Sequence, residues 1–184
     1  MVDPNKNPWK TLSEKMIYEN PWISLSEHQV INPGNGQGIY GKVHFKNLAI
    51  GIIVLDDEHN TWLVGQYRYP LDQFSWEIPE GGGPLNVDPQ KSAQRELLEE
   101  TGIVAKSWTE IQRMHLSNSV SDELSIIYLA RDLAFGKSSP EETEQLTLRK
   151  IHFNDAYNMV INGEITDSIS VAAILKVKLL NIVP

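Results

Sequence analysis

The chain of 184 residues contains no cysteine. Disulfide frameworks, thiolate catalysis and cysteine-ligated metal sites are thereby excluded, and a cytoplasmic setting is favoured. Long apolar runs are missing too. The longest, residues 48–55, includes a glycine and falls far short of the roughly 20 residues a helix needs to cross a bilayer. The opening run Met1-Val-Asp-Pro-Asn-Lys-Asn-Pro lacks the apolar stretch of a signal peptide. Positive charge is scarce: 16 Lys and Arg against 24 Asp and Glu leave a formal net charge of −8. That balance argues against a general nucleic-acid binder and against an anionic-membrane partner. It does not exclude a phosphorylated substrate, because a bound metal inverts the local sign. The five histidines have no metal-ligand spacing. Repeats and low-complexity tracts are absent, and the length suits one domain with a sizeable core.

What the chain does have is concentrated between residues 76 and 103. Residues 95–103 read Arg-Glu-Leu-Leu-Glu-Glu-Thr-Gly-Ile. Glu96, Glu99 and Glu100 stand at i, i+3 and i+4, which on a helix is one face. Carboxylates crowded in this way need a positive partner. Arg95 is one candidate, and a hard divalent cation that takes oxygen ligands is the better one. A solvated acidic helix face is the plain alternative. The residues upstream weigh against it. Trp76-Glu-Ile-Pro-Glu-Gly-Gly-Gly leads an apolar run into a glycine-rich loop, and Asp88-Pro89 then signals a helix start. Gly102 suits the position just past the helix end. A helix over 89–101 follows, with Ala93 and Leu97 packing inward. Gly81 to Gly83 permit close backbone approach to a ligand or metal, and bare loop carbonyls are hard-metal donors.

Elsewhere, residues 1–15 read as a loose arm. Residues 17–30 and 38–46 read as strands separated by a turn-rich stretch, and 48–55 as a buried strand. Residues 62–69 return as a strand after the turn at 56–60, which suggests an antiparallel hairpin. Further strands are expected at 111–115, 124–130 and 146–153, with a polar, acidic loop over 135–144. Helices are expected at about 154–162 and 168–181, the last with a core stripe of Ile169, Ala172, Ala173, Ile174, Val177 and Leu180. A mixed sheet with helices on its faces fits this order.

The loop–helix–loop resembles the Nudix box, G-x5-E-x7-R-E-U-x-E-E-x-G-U with U a bulky apolar residue. It matches from Gly81 through Arg95, Glu96, Leu97, Glu99, Glu100 and Gly102 to Ile103, and departs at Val87, where the box has its first Glu. Segments around it (Glu19-Asn-Pro-Trp-Ile, Gln66-Tyr-Arg-Tyr-Pro, Trp76-Glu-Ile-Pro-Glu-Gly and Gly163-Glu-Ile-Thr-Asp-Ser) resemble the ADP-ribose pyrophosphatase and nucleotide-sugar branch. A second departure, Asn118 where that branch commonly carries a proline, leaves GDP-mannose or mixed nucleotide-sugar use open. The resemblance implies an α/β fold, a Nudix-like α/β/α sandwich with a mixed sheet and an N-terminal antiparallel strand region. Residues 1–46 would form the N-terminal arm and strands, with dimer and substrate contacts, and residues 47–184 the hydrolase domain. The implied activity is Mg²⁺-dependent, with Mn²⁺ an alternative, and hydrolyses the diphosphate of ADP-ribose or a nucleotide sugar to a nucleoside monophosphate and a sugar phosphate. The implied assembly is a homodimer.

By the same resemblance Glu96 and Glu100 are the first metal ligands, with Glu99 sharing or bridging and the Glu80 carbonyl as a backbone ligand. Arg95 orients and charge-balances the glutamates. A general base is implied in the acidic loop before the strand at 146, with Glu144 ahead of Glu142. Arg68 is a candidate diphosphate contact, since a guanidinium binds phosphate oxygens bidentately; a surface salt bridge is its alternative. Trp22, Tyr67 and Trp76 are candidates to stack on a base, though aromatics are more often core. Glu77 occupies a position that faces substrate in this branch, and Glu123 is a candidate contact to substrate or metal. Two other readings stand beside the enzyme. One is a Nudix-like nucleotide sensor without turnover; the other is an enzyme of mRNA caps or dinucleoside polyphosphates, which lacks the basic patch that RNA needs.

Overall fold

The computed structural model describes residues 3, 5–138 and 145–183. Among them are ten strands and three α-helices: β1 (Lys10–Glu19), β2 (Ile23–Ile31), β3 (Gln37–Phe45), β4 (Asn47–Val54), β5 (Asn60–Arg68), β6 (Gln73–Glu77), β7 (Glu80–Pro84), α1 (Pro89–Thr101), β8 (Ile103–His115), β9 (Leu124–Phe135), β10 (Thr147–His152), α2 (Phe153–Ile161) and α3 (Ser168–Leu179). The chain divides into two compact units, Met1–Lys46 with Ser117–Glu123, and Asn47–Leu116 with Leu124–Pro184. No helix among the described residues is long and apolar enough to cross a membrane.

The first unit is an antiparallel sheet in the order β1-β2-β3. Two expectations are corrected here. Residues 10–15 are part of β1 and pair with β2 from Lys10↔Ile31 onward. Residues 17–30 are not one strand but two, reversed at Asn20. Its side-chain oxygen accepts from the backbone N–H of Trp22 (2.9 Å) and of Ile23 (2.8 Å), a local turn that an Asn side chain stabilises. Segment 117–123 is held along β3. Val43 donates to the Val120 carbonyl (2.9 Å), and Asp122 accepts from Phe45 N–H (3.0 Å) and meets His44 Nδ1 at 2.8 Å.

The second unit contains a four-stranded mixed sheet, β7-β4-β9-β8, in which β4 and β9 are parallel. A further sheet, β10-β5-β6, is antiparallel throughout. Side chains alternate across a strand, and on β4 and β9 both faces are apolar. Ile50, Ile52 and Val54 pack with Ile126, Tyr128 and Ala130 against Ala93 and Leu97 of α1. Ile53 and Leu55 pack with Ile127 and Leu129 against Phe153 and Met159 of α2 and Ile169, Ile174 and Val177 of α3. The sheet is therefore covered on both faces, which is the α/β/α layering that the family resemblance implied.

That double burial also explains why the expected hairpin of residues 48–55 and 62–69 does not form. A strand apolar on both faces belongs inside a covered sheet. β4 pairs with β7 and β9, while β5 pairs with β6 and β10. The glycine-rich loop is likewise a strand: Gly81, Gly82 and Gly83 lie opposite Ile50, Ala49 and Leu48. Strand β9 runs past its expected end at 130, and Phe135, assigned to a loop from sequence, lies in it opposite Ile103. In the last helix Leu180 is the C-cap and half exposed, so it leaves the core stripe.

Candidate active site

The acidic helix α1 has the limits its sequence signals predict. The Asp88 side chain accepts from Gln90 N–H at 3.0 Å, Pro89 opens the first turn, and Gly102 closes the helix at φ 72° with its N–H on the Leu98 carbonyl. Asp88 is thus an N-cap and satisfies one of the donors a helix start leaves unpaired. Gly102 sits where a Cβ would lie 2.8 Å from the Gly136 carbonyl oxygen, in a left-handed conformation other residues avoid.

Thirteen residues of helix put Glu96 and Glu100 beside Ala93 and Leu97 on the buried face, at 8% and 5% exposure, with Glu99 nearer the edge. Strand β7 meets them with backbone. Glu80 N–H donates to Glu100 Oε2 at 3.1 Å. A Cβ at Gly81 would overlap the Glu96 carboxylate, so the absent side chain is what lets that carboxylate lie against the strand. Arg95 binds the other two glutamates, with Nη1 to Glu99 Oε2 at 2.6 Å and Nη2 to Glu96 Oε1 at 2.5 Å, and reaches the Gly82 carbonyl at 2.9 Å.

A second ionic group adjoins the first. Arg68, at the end of β5, donates through Nε to both oxygens of Glu77 (2.9 and 3.1 Å) and through Nη2 to Glu77 Oε2 (2.6 Å) and Glu80 Oε1 (2.5 Å). Glu77 is 2% exposed and also accepts from Gln66 Nε2 at 3.4 Å. Its carboxylate is committed to Arg68. Burial pushes the Glu80 carboxyl well above the usual range; the charges of Asp167 and Glu77 add to the rise and Arg68 opposes it. Burial works against the charge on Arg68, but the bond to Glu77 and the charges of Glu80 and Asp167 hold it firmly protonated.

Among the described residues, no group of three or more His, Asp or Glu side chains forms a ready-made cation cage. Arg95 lies between Glu96 and Glu99, and the Glu80 N–H occupies Glu100 Oε2. The donor set nevertheless suits a hard divalent cation. It is all oxygen, and it includes a buried oxygen, Glu80 Oε2, with no hydrogen-bond partner. The glycine at 81 supplies the opening beside Glu96.

The remaining candidates are distributed more widely. Tyr67 is 59% exposed and donates to Asp72 Oδ1 at 2.6 Å. Trp76 is half-buried, packs edge-on to Phe74 and has the Arg149 guanidinium 5.6 Å over its ring. Trp22 and Glu123 belong to the first unit; Trp22 is 65% exposed, and burial raises the Glu123 carboxyl. Glu142 and Glu144 lie outside the described residues. Sequence reading missed Asp167 and Ser170. Asp167 caps α3 by accepting from Ser170 N–H at 2.7 Å, and the wholly buried Ser170 hydroxyl accepts from Ile78 N–H at 2.9 Å, fixing the strand end that leads to Glu80. The Asp167-Ser168 pair carries a cap signal, but nothing in sequence tells which charges an N-cap lies near.

A helix of paired carboxylates laid against a glycine strand, inside an α/β/α sandwich, is the scaffold and the carboxylate group that the comparisons identify. The NUDIX domain model matches residues 45–164, and the nucleoside diphosphate sugar hydrolase N-terminal domain model matches residues 9–43. The chain belongs to the Nudix family and is a Nudix hydrolase. An ADP-ribose pyrophosphatase of Mycobacterium tuberculosis is 31% identical over 179 residues, covering 94% of this chain and 84% of that protein. One of Bacillus subtilis is 30% identical over 167 residues, covering 90% of each. A crystal structure of an ADP compounds hydrolase shares the fold, with a TM-score of 0.85 at 16% identity, over 97% of this chain and 96% of that one.

Proposed function

We propose that this protein hydrolyses the diphosphate bond of ADP-ribose or of a nucleotide sugar such as GDP-mannose, yielding a nucleoside monophosphate and a sugar phosphate. The observation that carries the reading is the convergence of Glu80, Glu96, Glu99 and Glu100 about the α1–β7 contact, with Arg68 adjoining it. The names of the relatives support the substrate class.

In this reading Glu96 and Glu100 hold Mg²⁺, or Mn²⁺, with Glu99 sharing and the Glu80 carbonyl as a backbone donor. When bound, the cation supplies charge neutralisation at the diphosphate oxygens and acidifies water. Arg95 keeps the glutamates apart and oriented. Arg68 offers Nη1 to the diphosphate, while Glu77 acts behind it as an anchor rather than on the substrate. Glu144 or Glu142 takes the proton from the attacking water, and Trp22, Tyr67 and Glu123 contribute to recognition of base and sugar. Residues 47–184 carry the hydrolase, and residues 1–46 the dimer and substrate contacts of a homodimer. Exposure of Leu12, Met16, Tyr18 and Ile39 on that N-terminal sheet supports self-association. The lack of cysteine supports a cytoplasmic setting.

The test is direct. Purified protein with Mg²⁺ or Mn²⁺ is offered ADP-ribose, GDP-mannose, other nucleotide sugars and dinucleoside polyphosphates, with phosphate release coupled to a phosphatase. Turnover of ADP-ribose or a nucleotide sugar is expected. Binding without turnover would make the protein a sensor. Glu100→Gln should abolish turnover and leave the fold intact. Glu142→Gln and Glu144→Gln separate the two base candidates, and an unchanged kcat in both places the base elsewhere. Light scattering of the purified protein reads the dimer.

A further inference from the structure

We propose that the Glu80 side chain is a positioning residue for Arg68, fixing Nη1 as the guanidinium nitrogen that meets an anionic substrate. The inference rests on the diphosphatase reading above and adds a role that the backbone carbonyl of Glu80 does not cover.

Arg68 already has a full counter-charge in Glu77, which takes Nε and Nη2 in a forked pair. A second carboxylate is not needed for neutrality. Yet Glu80 Oε1 accepts from the same Nη2. Glu77 takes the Nε–Nη2 edge and Glu80 takes the second Nη2 hydrogen, so Nε and Nη2 are both fully used. Nη1 is left with no partner among the described residues, on a side chain that is 35% exposed. A guanidinium held at Nε and at both hydrogens of Nη2 presents Nη1 to an anion with little rotational freedom left to lose.

The arrangement is costly for folding. Glu80 Oε2 is buried without a partner, and its other oxygen shares Nη2 with Glu77. A buried polar oxygen without a hydrogen bond destabilises the folded state. A residue present only for stability would not be placed so. Removing it should therefore leave the protein as stable or more stable while binding weakens, the reverse of what a structural ion pair predicts.

Three variants test this in the full-length protein with ADP-ribose and GDP-mannose at saturating Mg²⁺. Glu80→Ala should raise KM by about ten-fold, the weight of one charge-assisted hydrogen bond, with kcat within about three-fold and Tm unchanged or higher. Glu80→Gln retains an amide oxygen for Nη2 and should restore KM to within about three-fold of wild type. Arg68→Lys keeps a cation opposite the buried Glu77 but has no fork, so adding Glu80→Ala to it should change KM no further. A wild type that turns over neither substrate defeats the function reading itself. An active wild type with unchanged KM in Glu80→Ala overturns the positioning role, as does multiplication of the two effects in the double variant. Loss of Tm in Glu80→Ala, or a shift only in the Mg²⁺ concentration for half activity, also overturns it.

Discussion

Replacing Gly81 by alanine separates what the site needs from what the fold needs. The new methyl would fall inside the Glu96 carboxylate, which has to move. That carboxylate is the far end of a flexible side chain, so the backbone need not shift. Gly81 is not among the positive-φ glycines, Gly102 and Gly163, so alanine meets no left-handed strain there. Replacing glycine at a compatible position stabilises by roughly 0.4–1 kcal/mol through the unfolded chain. Displacing Glu96 loses its pair with Arg95, whose side chain is 42% exposed; a pair this open to solvent is worth about 0–1 kcal/mol. The two nearly cancel, and a net change within about 1 kcal/mol moves Tm by only about 2–4 °C in a chain of this size. Activity should respond quite differently. Outer-shell partners of metal ligands alone typically contribute about 10–100-fold. Displacing a proposed ligand is therefore expected to lower kcat/KM by at least about 100-fold and to weaken Mn²⁺ binding measured by electron paramagnetic resonance. Thermal melts and phosphatase-coupled kinetics on one preparation read both numbers. Wild-type kcat/KM with unchanged Mn²⁺ affinity would refute the role of Glu96. A fall in Tm beyond about 10 °C would refute the claim that the side chain alone gives way.

Asp88→Ala should cost about 1 kcal/mol by removing the N-cap of α1, seen in urea unfolding, with Mg²⁺ dependence unchanged; a shifted metal requirement would make Asp88 a ligand in place of the residue missing at Val87. Ser170→Ala leaves the buried Ile78 N–H unpaired and should destabilise by about 1–3 kcal/mol, a loss that Ser170→Thr should partly restore if the cavity admits the methyl. Burial raises the Asp56 carboxyl, but its bonds to Lys150 and Asn60 bring it down to about 2 from 3.8. A carboxylate lowered on folding stabilises above its unfolded value and loses that contribution as pH falls toward the folded one. Because Lys150 is about half exposed, roughly 1 kcal/mol remains after discounting for solvent screening. The stability gap between wild type and Asp56→Asn should therefore narrow as pH falls from about 5 toward 2, and a constant gap would refute the pairing.

The acidic helix was legible because its determinants are local. A cap, a proline at the first position, the spacing of Glu96, Glu99 and Glu100, and a glycine past the end all act within a turn or two of chain. For that reason 89–101 agrees with the structure at both ends. The burial of residues 48–55 was legible from their composition. Strand partnership was not. A short turn between two apolar strands reads as a hairpin, and only competition among all the strands for one sheet put β4 between β7 and β9. The glycine run at 81–83 carries no signal that separates a loop from a strand whose missing side chains make room for a helix.

Sequence alone therefore determined the family, the helix and the carboxylates it carries, since these depend on residue type at fixed spacing. Tertiary structure decided how the charges are shared. It drew Arg68 between Glu77 and Glu80, brought Asp167 close enough to act on both Arg68 and Glu80, and left Glu80 Oε2 buried with no partner. Coulomb interaction and desolvation depend on distance and burial through space, and neither can be read along the chain.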